Sequence, residues 1–272
     1  MPRYAQKIWT LPDGSRLSLP GSAIFDTPAV NSNIDIYDVD LAANQKFPIS
    51  TKLEIDDRIY RYAEFGGTTA AGDLVQAEAS DDAHDNLTPG TDGSVDGVAA
   101  SMAAGSKVIN ISDTITLVAN EYAGGSLIVE DNTGAGYAYQ IESHDAPASD
   151  ALVVIKHGLA VAIAAEAELK LIKNPWKEVI QQPTTVTGMC VGVGLAVGAD
   201  GSFGWVQTRG PAAVLTSGTV VNGQHVRVAG ATTAGAVIAL DRDGAAEDEQ
   251  AVGVVMDLGA TTEWSLVYLQ IE

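Results

Sequence analysis

Apolar and polar residues alternate along several stretches of the chain, and the alternation predicts strands. In Lys52 to Gln76, Leu53, Ile55, Ile59 and Tyr62 alternate with polar positions around Asp56-Asp57. A period of two is that of a strand with one buried face, so this stretch predicts a hairpin turning at the two aspartates. Lys107 to Lys173 repeats the signal in KVINIS, TITLVA, GSLIVED, GYAYQIES, ALVVIKH and AELKLIK, with turn residues at Ala123-Gly124-Gly125, Asp131-Asn132-Thr133-Gly134 and Ala146-Pro147. Between these strands, the Ala-rich stretch Gly158 to Leu169 is read as one helical turn followed by a strand. Ala77 to Ser106 loses nearly all bulky apolar residues and predicts a long exposed loop, with one short helix near Val98 to Ala104.

The two ends of the chain differ from this middle. Pro2, Pro12, Pro20, Pro28 and Pro48 rule out a helix before Lys52, yet Ile8, Trp9, Leu11, Leu17, Leu19, Ile24 and Phe25 are interleaved with turns. Such a segment is either a strand pair on its own domain or an extended arm reaching a neighbouring subunit. Beyond Asn174-Pro175-Trp176, Gln181-Gln182-Pro183 marks a junction. The following region holds a weak internal echo, with VGVGLAVGADGSFGWVQTRG from Val191 resembling VGVVMDLGATTEWSLVYLQI from Val252. Each copy reads as strand, turn and strand carrying Trp205 or Trp264, and Asp200-Gly201 is a type I′ turn signal in the first.

Composition agrees with the pattern: 46% of residues are apolar and only 18% charged, with 28 glycines, which favours short strands and tight turns. The expected fold class is all-β, an extended N-terminal arm (1–52) followed by two small sandwich- or barrel-like domains (53–176, carrying the acidic loop 77–106, and 177–272). No run of 18 apolar residues occurs, so a soluble chain with no membrane partner is expected. Net charge is −20, which repels a phosphate backbone and argues against nucleic acid as a partner.

Candidate chemistry changes this picture little. Cys190 is the one cysteine and sits in the apolar strand VTGMCVGVG, the setting of a structural thiol rather than a nucleophile. The Gly192-Val193-Gly194 run departs from the dinucleotide fingerprint because its third glycine, Gly198, comes one place late and a turn follows in place of a helix. Asp241-Arg242-Asp243-Gly244 with Glu247, Asp248 and Glu249 lacks the spacing of a Ca²⁺ loop, and Asp81-Asp82-Ala83-His84-Asp85 reads as a polar loop. No G-x-S-x-G elbow and no H-E-x-x-H occurs. The expectation is a protein without catalytic residues, cofactor or metal.

Glu121–Val129 (EYAGGSLIV), Gly134–Ile141 (GAGYAYQI), Lys173-Asn174-Pro175-Trp176, Asp57–Ala63 (DRIYRYA) and the C-terminal VGVVMDLGATTEWSLVYLQIE resemble structural proteins encoded near the major capsid gene of tailed bacteriophages. The Gly/Ala/Val-rich C-terminal part is also similar in texture to lambda-type head-decoration proteins. That resemblance implies a virion protein, made in the host cytoplasm, that cements the outer surface of the capsid as a homo-oligomer, a trimer, with the major capsid protein as its partner. On that reading, Ile8, Trp9, Leu11, Leu17, Ile24 and Phe25 are the candidates for capsid or intersubunit contact, with burial in their own subunit as the alternative. Two other functions remain open: a tail, fibre or host-adhesion part, and a carbohydrate-active enzyme.

Overall fold

The computed structural model describes residues 7–19, 34–79, 88–89, 101–112, 117–146, 151–230, 233–240, 250–260 and 263–272. The chain is all-β, and the one helical element among the described residues is a three-residue 3-10 turn, Ala42–Asn44. Five strands precede residue 80: β1 (Lys7–Thr10), β2 (Arg16–Leu19), β3 (Lys52–Ile55), β4 (Arg58–Glu64) and β5 (Leu74–Gln76). Next come β6 (Thr88–Pro89), β7 (Val108–Ser112), β8 (Ser126–Val129), β9 (Ala138–His144), β10 (Ala151–Ile155) and β11 (Leu169–Ile172). The chain ends with β12 (Ile180–Gln181), β13 (Cys190–Gly194), β14 (Phe203–Leu215), β15 (His225–Val228), β16 (Val237–Ala239), β17 (Ala251–Asp257) and β18 (Trp264–Gln270).

These strands make a twelve-stranded and a six-stranded sheet, and the chain divides into two compact units, Met1–Ala79 with Pro175–Glu272, and Ser80–Asn174. The division departs from the expected boundaries after residues 52 and 176. Ser18 in β2 pairs with Lys52 in β3, so the N-terminal hairpin is built into the sheet, and β4 lies against β14, which joins residues far apart in sequence. The second unit is therefore an insertion in the first.

In the first unit the strand path is β1-β2-β3-β4-β14-β18-β17-β15-β16, with β5, β12 and β13 branching from it. The predicted hairpin forms as β3 and β4, and Asp56 takes up a left-handed backbone at its turn (φ 52°). Opposed positions on its core face run Trp9, Leu17, Leu53, Tyr60 and Gln207 across five strands. Around that row Leu17, Leu53, Tyr60, Tyr62, Phe203 and Trp205 form one apolar cluster. Strand β14 has three neighbours: Phe203–Arg209 pair with β4, Val206 and Gln207 with β13, and Arg209–Leu215 with β18, with Gly210 at φ 85° where β18 takes over from β4. A Cβ there would lie 2.9 Å from the Asp57 carbonyl, so the bend requires glycine.

Strands β14, β18, β17, β15 and β16 close into a ring, because Thr216 bridges Val237 and the Ser217 N–H donates to the Val237 carbonyl at 2.8 Å. Val214, Val226, Val237, Val252 and Val267 are completely buried inside it, giving the small barrel expected near the C-terminus. The Asp200-Gly201 turn forms, but within an eight-residue connection from Gly194 to Phe203 rather than as a two-residue hairpin. The chain needs that length because Ser202 and Phe65 hydrogen-bond inside it, which holds the loop against β4.

The second unit runs β11-β8-β9-β10-β7-β6. Tyr139, Ile141 and His144 face inward from β9 and meet Ile109, Ile111, Leu127, Val153, Ile155 and Leu169. Three expectations fail here. Gly158 to Leu169 is irregular apart from an Ile163–Met102 bridge, since its backbone groups pair with Met102–Ser106 instead of a regular strand. Leu117–Ala119 of the expected TITLVA strand is a non-strand segment leading into the turn at Asn120, and residues 114–116 lie outside the described residues. Ser101–Ala104, the described part of the predicted short helix, is not helical, and most of the 77–106 loop also lies outside.

Candidate functional site

The six N-terminal candidates do not form one surface. Leu11 and Leu17 are buried, at 3% and 0% exposure, in the cluster with Leu53 and Tyr60. They anchor the hairpin to its own unit. Trp9 is half-buried on the same row, while Ile8 points to the opposite face and is 48% exposed. Ile24 and Phe25 lie outside the described residues.

Cys190, Gly192, His144 and Asp40 have structural surroundings. Cys190 is buried, and burial pushes its thiol up to about 12, so it carries almost no thiolate near neutral pH. Gly192 stands where a Cβ would meet Val206 Cγ1 at 2.4 Å, the close strand packing expected of this glycine run. His144 is buried; its Nε2 accepts the Tyr122 N–H at 2.9 Å and its Nδ1 lies 2.8 Å from the Asp145 carbonyl. Asp40, also buried, accepts from the Tyr62 hydroxyl at 2.6 Å and pairs with Lys46 at 2.7 Å. Burial, and then the Asp40 carboxylate, push the Tyr62 phenol far above its ordinary range, so this network ties the 38–47 loop down. Among the described residues no group of three His, Cys, Asp or Glu is placed to hold a metal, and no helix is long and apolar enough to cross a membrane. The acidic segments 81–85 and 241–249 lie outside the described residues.

The surface of the barrel is more informative. In β18 Ser265, Val267 and Leu269 point inward, leaving Trp264, Leu266 and Tyr268 on the outer face. Register places Tyr268 beside Pro211 and Val254, Leu266 beside Ala213, and Trp264 beside Leu215. A bulge at Met256, between Val255 and Asp257, sets Asp257 directly opposite Leu266. Met256, Leu258, Trp264 and Leu266 are all exposed, so three adjacent strands present a mostly apolar face, with Asp257 within it, on a protein of net charge −20. The sequence carried the signal: WSLVYLQ is apolar at both alternating sets of positions, as a strand covered on both sides should be.

Beside this face lies a groove of about 650 Å³, walled by Ile55, Arg58 and Tyr60 on one side and by Pro211, Ala213 and Trp264 on the other, with Tyr37 at its rim. Trp264 lies across Gly72, where a Cβ would come within 2.4 Å of its Nε1. The Arg58 Nε donates to the Pro211 carbonyl at 3.2 Å, which fixes the guanidinium along the wall. Burial, which outweighs the nearby Arg58 charge, pushes the Tyr60 phenol up to about 12. Sequence alone assigned none of these residues to a common site, because they come from five separate segments. No family model, no curated protein and no solved structure matches the chain.

Proposed function

We propose that this chain is a non-enzymatic virion protein that decorates and cements the outer surface of a tailed-phage capsid, bridging capsomers and associating with further copies of itself as a homotrimer. The observation that carries the reading is the apolar outer face of β17, β18 and the second half of β14. A strongly acidic protein that leaves a face of Val, Met, Leu, Trp and Pro uncovered has a surface suited to burial against another protein. Like-charged copies repel at long range, and a face whose paired positions carry a single charge, Asp257, is where they can meet at low electrostatic cost. Repetition over a shell then turns weak individual contacts into strong attachment. The resemblance of Glu121–Val129, Asp57–Ala63 and Val252–Glu272 to phage structural proteins supplies the choice of capsid as partner.

The test is cryo-electron microscopy of the intact particle together with a Leu266→Glu variant. The expected result is density for this chain at three-fold or quasi-three-fold positions on the outer capsid, lost or much reduced in the variant although the variant still folds. Density at the tail, or a particle without this protein, would reject the capsid role in favour of adhesion. Normal particle occupancy with Leu266→Glu would remove the apolar face from the explanation.

A further inference from the structure

We infer that the groove between Tyr37 and Trp264 binds a sugar ring carrying a carboxylate, a unit of an acidic glycan. This is a ligand site in the first unit, argued from the groove of the free chain, and it shares Trp264 with the apolar face.

Three features of the groove select the ligand. The first is its aromatic content. Aromatic residues make up only 6% of the chain, and the large aromatics exposed among the described residues are Tyr37 at 64%, Tyr137 at 42% and Trp264 at 54%. Two of these three line one groove. A half-exposed aromatic ring offers an apolar face beside water, which suits a pyranose that stacks its C–H face on the ring and keeps its hydroxyls solvated. Trp264 is held in place, since the missing side chain of Gly72 leaves room for the Nε1–Cδ1 edge of the indole to abut the backbone. Because that edge abuts Gly72, the indole N–H signal reports on the position of the ring.

The second feature is Arg58. Its Nε is taken by the Pro211 carbonyl, but no carboxylate of the described residues pairs with its two terminal amino groups, although Asp56 and Asp57 precede it in the turn. A positioned, half-buried guanidinium presenting two parallel N–H donors matches a carboxylate in bidentate geometry. A purely apolar ligand would cover this charge without compensating it, and a cationic ligand would be repelled. The third feature is what the walls lack. The backbone of β4 is already paired with β3 and β14, so no free edge is available for an extended peptide to add as a strand. The groove's volume of about 650 Å³ falls within the roughly 300–1,000 Å³ typical of small-molecule sites.

The experiment uses the full chain free in solution, titrated with methyl glucuronide and with methyl glucoside, and followed by the Trp264 indole N–H in ¹⁵N–¹H spectra and by calorimetry. The glucuronide is expected to bind and to shift the Trp264 signal, with the glucoside at least about tenfold weaker, the difference expected from one bidentate charge-assisted contact. Arg58→Gln should abolish the preference for the acid, and Arg58→Lys, which keeps the charge but loses the fork, should give an intermediate value. Tyr37→Ala should weaken both ligands while leaving the thermal midpoint of the first unit unchanged. The proposal is overturned by equal binding of acid and neutral sugar, by absence of binding to either, or by binding that survives both Arg58→Gln and Tyr37→Ala. Pro211, Ala213 and Trp264 belong both to the groove and to the apolar face, so the titration is repeated on Leu266→Glu, which disables the face and leaves the groove lining intact: sugar binding retained there separates this site from the cement role.

Discussion

Glu272 ties the end of the chain to the first sheet through one side chain. Its carboxylate accepts from the Arg61 Nε at 2.9 Å, from the Arg61 Nη2 and from the Thr208 hydroxyl at 3.2 Å. Arg61 also donates to the Ser50 carbonyl at 3.1 Å and lies over the Trp176 ring, so the guanidinium is fixed from several directions. Burial alone would raise the pKa of Glu272. The hydrogen bonds and charge of Arg61, with smaller help from Lys52 and Thr208, outweigh burial and hold it below the usual carboxylate range. A carboxylate whose folded pKa is depressed contributes stability above its unfolded pKa, and that stability is lost as pH falls through the folded value. Glu272→Gln should therefore lower the urea midpoint at pH 7, and the gap between variant and parent should shrink steadily below about pH 4. Asp73 acts in the opposite sense, since burial raises its pKa and protonation favours the fold. It is unchanged in both proteins, so the difference between them isolates Glu272. A gap that stays constant down to pH 3 would mean that Glu272 contributes packing rather than charge.

At the scale of the element, the N-terminal hairpin divides its apolar residues between two jobs. Leu17 is completely buried against Leu53, while Ile8 stands 48% exposed on the other face. Truncating a buried leucine removes apolar contact and leaves a cavity, so Leu17→Ala should cost about 2–5 kcal/mol. Ile8→Ala should stay within about 0.5 kcal/mol, as surface changes usually do. Trp9, Trp176, Trp205 and Trp264 all lie in the first unit, so tryptophan fluorescence during urea unfolding measures both values there. Equal, small effects would mean that the hairpin docks loosely and that its burial in this unit adds little.

How far such elements were legible depended on whether their information was local. The β3–β4 hairpin could be read because alternation and turn lie within one short stretch, and the strands β8, β9, β10 and β11 for the same reason. The N-terminal segment was ambiguous because its prolines exclude a helix without saying which surface Leu11 and Leu17 meet. The decisive contact, β2 on β3, links residues more than thirty apart, and local patterning carries no term for it. Gly158 to Leu169 misled because its buried positions, Leu159, Ile163 and Ala167, are supplied by a segment whose hydrogen bonds go to a bent partner. The groove was illegible for a related reason: Tyr37, Arg58, Gly72 and Trp264 become neighbours only after β14 has changed partners at Gly210.

The whole molecule follows from one topological fact. Strands β5 and β12 pair, with Gln76 opposite Ile180 and Val75 opposite Gln181, so the chain leaves the first unit and returns to it on neighbouring strands. An insertion at such a point leaves the host sheet unbroken, because its ends are already held together by the host. The inserted residues bring their own core, in which Ile109, Ile111, Leu127, Val129, Ile141, Val153 and Leu169 are completely buried. Each unit therefore has what independent folding requires. Replacing Ser80–Asn174 by a short Gly-Ser linker should preserve the tryptophan-reported unfolding of the first unit, with a midpoint change equivalent to about 1 kcal/mol or less, since loop-closure cost varies slowly with length. The excised Ser80–Asn174 fragment should unfold cooperatively by far-ultraviolet circular dichroism. Cooperative unfolding of both pieces would assign the apolar face and the groove, which lie wholly in the first unit, to a body that works without the insertion. If neither piece unfolds cooperatively, the pairing of β5 with β12 does not suffice to close the first unit, and the insertion must be part of its stability.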